Sequence, residues 1–101
     1  MTRSGATVRV KWLRAALRDL DLQMDHIALD DLEMALKVYA EIRKRSAELA
    51  HFPEVGRPRR VPGTRELVLV NYPYIMPYRV RKGVVEILRV FHTSQKPPAV
   101  W

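Results

Sequence analysis

Between Leu13 and Leu49 the apolar residues recur at helical spacing, and from Glu66 to His92 they alternate. That change of period means a helical segment followed by strands over this part of the chain. Leu13, Leu17, Leu20, Met24 and Ile27 form one stripe, while Arg14, Arg18, Asp19, Asp21 and Asp25 occupy other faces, as expected of a helix covered on one side. Asp30 followed by Glu33 has capping-box spacing and predicts the start of a second helix. Its stripe is Leu32, Ala35, Tyr39, Ile42 and Leu49, interrupted by Ser46, with Glu33, Lys37, Glu41 and Arg45 as a ladder of alternating charge. His51-Phe52-Pro53 ends it, because proline cannot continue a helix.

Strands are expected at Thr7 to Lys11, Glu66 to Val70, Tyr74 to Arg81 and Val84 to His92, with turns at Asn71-Tyr72-Pro73 and Lys82-Gly83. Pro77 gives a ladder no donor and predicts an irregularity inside its strand. If Lys82 and Gly83 alone make the last turn, Arg79 lies opposite Glu86. Tyr74, Met76, Tyr78, Val80, Val85, Ile87 and Phe91 then share the face toward the helices, and His92 joins Arg79 and Glu86 on the other. The same register puts Arg89 on the apolar side, where its head must reach an edge or an acid. The expected fold is α+β: an N-terminal strand, an antiparallel two-helix hairpin and a three-stranded antiparallel meander, the helices on one face of a mostly antiparallel four-stranded sheet.

A chain of 101 residues holds one domain, residues 1–101, with residues 93–101 as an irregular tail. Without cysteine it has no disulfide or thiolate metal site. The charged stretch MTRSGATVRVKW does not suit a signal peptide, and no run approaches the roughly 20 apolar residues of a membrane span, so the expected location is the cytoplasm, away from membrane. His26 and His51 lack metal-ligand spacing, and Gly56 and Gly63 lack a phosphate-loop pattern; no metal and no cofactor are expected. Trp12 and the four tyrosines read as core.

Charge is uneven. Residues 1–50 carry nine Lys/Arg and eight Asp/Glu, a balance of +1, while residues 51–101 carry nine and three, a balance of +6. The densest stretch is GRPRRVPGTRELVLV, where Arg57, Arg59, Arg60 and Arg65 precede an apolar strand. Such a run is either a solvated surface or one that meets phosphates or an acidic partner.

In this order of elements, ALRDL at Ala16 to Leu20, HFPEVGRP at His51 to Pro58, VPGTREL at Val61 to Leu67, YRV at Tyr78 to Val80 and VEILRVFH at Val85 to His92 resemble the RelE/ParE superfamily of bacterial toxins. The resemblance implies the toxin of a type II toxin–antitoxin module. Its partner would be a cognate antitoxin, a separate chain with an acidic segment and a DNA-binding domain of its own, and oligomers would form through that complex. ParE-like members poison DNA gyrase by a protein contact. RelE-like members enter the ribosome and cut messenger RNA without metal, which needs a base, cations around the phosphate and an acid.

Ribosome-dependent members commonly carry lysines on the second strand and an arginine near the start of the third, whereas ELVLVNYPYIMPY, Glu66 to Tyr78, holds no cation and has Ile75 or a neighbour where that arginine would fall. The gyrase-directed branch is therefore favoured, with the metal-independent endoribonuclease as the alternative and a non-toxic basic binding module third. If the protein were a ribonuclease, its candidate catalytic residues would be His92, Arg65, Arg89 and Arg79. For target or partner binding the candidates are Arg57, Arg59, Arg60, Arg65 and Trp101. Arg65 could grip an anion or lock its loop to Glu54 or to helix carbonyls.

Overall fold

The computed structural model describes residues 7–59 and 61–94, so Arg60, Trp101 and the remainder of the expected tail lie outside the described residues. The elements are β1 (Arg9–Trp12), α1 (Arg14–Asp30), α2 (Leu32–Glu48), β2 (Arg57–Pro58), β3 (Thr64–Val68), β4 (Tyr74–Arg81), β5 (Val84–Ile87) and β6 (Phe91–His92). The sheet runs β1-β5-β4-β3-β2, with β6 also pairing β4. β1 lies parallel to β5, and every other pairing is antiparallel. The expected strands are therefore present, and two short ones join them: β2 inside the arginine-rich segment, and β6 cut from the expected last strand.

The helices lie on the expected sheet face. Ala16 and Leu20 from α1, Val38 and Ile42 from α2, and Leu49 after it pack with Leu67, Met76, Tyr78, Val85 and Ile87. The stripes differ from expectation in detail. Leu17, Leu32 and Tyr39 are exposed, whereas Val38 and Ser46 are buried. Ser46 is tolerated there because its hydroxyl donates to the Arg43 carbonyl at 2.9 Å. The cap of α2 is Asp31 rather than Asp30: its carboxylate accepts the Met34 N–H at 2.9 Å, one residue later than the capping-box spacing suggested.

Lys82 and Gly83 both have positive φ, 50° and 76°, the turn that suits the twist of a two-residue hairpin. They set Arg79 opposite Glu86, as the turn predicts. Pro77 then produces its irregularity. Leu88 N–H donates to the Pro77 carbonyl at 2.8 Å, so the nitrogen that would return the bond is the one without a hydrogen, and the ladder opens over residues 88–90.

When pairing resumes in β6, Tyr74 faces His92 and Ile75 faces Phe91, a slip of one residue from the β4–β5 register. The slip corrects two expectations. His92 sits opposite Tyr74, whose neighbours are core, rather than with Arg79 and Glu86. Val90 and Phe91 are both buried, because the extra residue breaks strict alternation. Val80, expected on the buried face, is 41% exposed at the end of β4.

Candidate partner-binding surface

The arginine-rich segment is anchored by a carboxylate that sequence reasoning treated only as the first residue of a strand. Glu66 is 6% exposed, and β2 places Arg57 directly opposite it. Arg57 binds one carboxylate oxygen of Glu66 and Arg59 the other. A buried charge needs such partners, and here one cation comes from the strand alongside and the other from the residue that follows it. The side chain of Arg57 remains 68% exposed while that of Arg59 is 16% exposed, so Arg59 faces the protein and only Arg57 keeps the outward aspect expected of both.

Arg65 lies within β3, and its Nη1 donates to the carbonyls of Gly56 at 2.8 Å and Glu54 at 3.2 Å. Tyr78 locks the same segment from below. Its hydroxyl accepts the Gly56 N–H and donates to the Pro53 carbonyl, each at 2.8 Å. Burial is the main reason its phenol titrates above the ordinary value. Glycine is required by this close approach, since a Cβ on residue 56 would stand 2.5 Å from the tyrosine ring.

Beyond the hairpin turn, Arg79 donates through Nε to Glu86. Lys11 sits opposite Glu86 on β1, and Arg81 is two residues along β4. The hydrogen bond from Arg79, first, and the charges of Arg79, Arg81 and Lys11 hold the Glu86 carboxyl below the usual range despite the opposing effect of burial. Arg89 finds the acid its position required: Nε and Nη2 donate to Asp19 at 2.7 and 3.0 Å, and the same carboxylate accepts the Val90 N–H at 3.0 Å. That pairing raises the guanidinium pKa.

His92 Nδ1 accepts the Ser94 N–H at 3.0 Å, and its ring meets Tyr74 edge-on with centroids 5.2 Å apart. It lines a cleft of about 570 Å³ with Gln23, His26, Asp30 and Asp31. Arg65 and Arg79 instead line a cavity of about 280 Å³ at the other end of β4, with Arg59. His92 pairs with Tyr74, five residues along β4 from Arg79, which is roughly 16 Å at strand rise. The four candidates for strand-held catalysis are thus split. Arg65 and Arg79 come together, Arg89 is tied to α1, and His92 is remote from the first two. Among the described residues no helix is long and apolar enough to cross a membrane.

The family described as the ParE toxin of the type II toxin–antitoxin system parDE matches residues 10–97. The chain belongs to the ParE toxin family. This ParE-family chain is 46% identical over 92 residues to the Sinorhizobium fredii protein Y4kP, covering 91% of the chain and 95% of that relative. It is 33% identical over 87 residues to toxin RelE2 of Caulobacter vibrioides, covering 86% and 97%. A chain of the chromosomal ParDE toxin–antitoxin system from P. aeruginosa superposes with a TM-score of 0.78 at 34% identity, covering 87% of this chain and 98% of that one. The isolated E. coli RelE toxin, at 19% identity and a TM-score of 0.63 over 88% and 87% of the two chains, shares the fold. The RelE/ParE resemblance and the α+β architecture are thereby established, and this ParE-family chain is a toxin of that superfamily.

Proposed function

We propose that this ParE-family toxin inhibits growth by binding DNA gyrase, and that a cognate antitoxin holds it in check in the cytoplasm. The observation that carries this reading is the separation of the candidate catalytic groups. Phosphoryl transfer between a base and an acid needs them within reach of one phosphate. Here His92 lies opposite Tyr74 while Arg65 and Arg79 share a cavity at the other end of β4, and Glu66 to Tyr78 supplies no cation between them. The P. aeruginosa relative belongs to a ParDE toxin–antitoxin system, which supports an antitoxin as the regulating partner. The related M. tuberculosis RelBE2 structure, at 27% identity and a TM-score of 0.54, is described as a toxin–antitoxin complex.

The test is induced expression without antitoxin. Gyrase-linked DNA breaks and DNA-damage signalling should precede any loss of message, and purified protein should leave ribosome-bound messenger RNA intact. Codon-periodic cleavage that disappears in His92→Ala would establish the ribonuclease instead. Unaffected growth would remove both toxin readings and leave a basic binding module.

A further inference from the structure

The sequence places thirteen cation-free residues, Glu66 to Tyr78, between Arg65 and Arg79. Folding reverses that separation. In the β3–β4 hairpin Arg65 pairs with Tyr78 and Arg79 with Thr64, so the two arginines become neighbours at the end where β3 begins and β4 runs out. With Arg59 they line an open cavity of about 280 Å³, whose wall also includes Glu54, Thr64 and Tyr78.

Two of the three guanidinium groups already have carboxylate partners, Arg59 in Glu66 and Arg79 in Glu86. Arg65 is held only by carbonyls and, among the described residues, has no carboxylate within ion-pair distance. A guanidinium fixed in this way is a prepared receptor for one anion, because its orientation is settled before a ligand arrives. Directly beside it, sharing Glu54, lies an apolar surface on which Phe52 is 65% and Val55 58% exposed.

We propose that the Arg65 cavity and the Phe52–Val55 surface form one docking site for a protein segment that presents a carboxylate next to a large apolar side chain. One uncompensated cation matches one carboxylate. A nucleic-acid backbone would bring successive phosphates toward Glu54 and would leave the apolar surface without a matching partner. The proposal deepens the toxin–antitoxin reading by naming what the antitoxin brings, and it rests on that reading only for the partner's identity.

The test uses the full chain, isotope-labelled for NMR, with three probes: a short peptide of repeated Glu–Leu pairs, its Gln–Leu counterpart, and a short DNA duplex. The Glu–Leu peptide should shift the amides of Val55, Gly56, Thr64 and Arg65. Its affinity should fall about tenfold when Gln replaces Glu, and similarly in Arg65→Lys, which keeps charge but loses the fork. Phe52→Ser, at an exposed position that does not threaten folding, should weaken the peptide independently. The proposal fails if the shifts fall elsewhere, if Gln–Leu binds equally well, or if the duplex occupies these residues more tightly than the Glu–Leu peptide. Growth arrest is scored separately in the same variants. A chain that binds the peptide here yet never arrests growth keeps the site and loses the toxin reading, whereas arrest without peptide binding here discards the site alone.

Discussion

Glu86 is one carboxylate among cations from two other strands, and its charge is worth most where those cations are closest. Arg79 bonds it directly, Lys11 sits across from it on β1, and its carboxyl is held below the usual range. A carboxyl depressed in the folded state contributes stability above its unfolded pKa of about 4.3, and that contribution is lost as the pH falls through the lower folded value. Glu86→Gln should therefore cost about 1 kcal/mol at neutral pH, the low side for a charge-assisted hydrogen bond because water reaches the pair. Urea midpoints should show the gap closing as the solution is acidified; a pH-independent gap would mean that shape, not charge, matters there. This pair was legible in the sequence because a two-residue turn dictates who faces whom. Glu66 was not, since its partners Arg57 and Arg59 lie across a longer connection whose register no local residue pattern sets.

The strands and helices were legible from periodicity, and even the irregularity at Pro77 followed from its missing hydrogen. What escaped was the consequence of that irregularity. An alternating pattern carries no mark of an inserted residue, so alternation alone puts Phe91 toward the helices and His92 away from them, as if the ladder continued. The break is held by α1, where Asp19 takes the Val90 N–H that pairing would otherwise use and binds Arg89 beside it. Asp19→Ala should leave both groups without that partner and loosen this connection first. Hydrogen exchange at the Val90 amide should speed up by roughly thirtyfold, equivalent to about 2 kcal/mol of local opening. An unchanged Val90 rate would show that the strand holds its bulge without the helix.

Over the whole molecule, net charge does not say where a partner meets it. Arg59, Arg79 and Arg89 each form a neutral pair with an acid, so the formal +7 is left to the other cations. Exposed cations remain on the sheet face away from the helices. Arg9 and Arg81 flank Val84 from the strands on either side. These should steer an acidic antitoxin segment, so Arg9→Glu with Arg81→Glu should slow association several-fold and flatten its salt dependence, with a smaller effect on dissociation. Stopped-flow rates indifferent to salt and to both charges would leave this face as solvated surface. Substituting Arg59 would not test steering cleanly, because it would also remove a partner of buried Glu66.

The strand order β1-β5-β4-β3-β2 has a further consequence. β1 finds its place only beside β5, and Asp19 must wait for Arg89, 70 residues later. Contacts this distant in the chain close late in folding. The sheet therefore cannot be completed until β5 has been synthesised, so a nascent toxin stays incomplete up to that point.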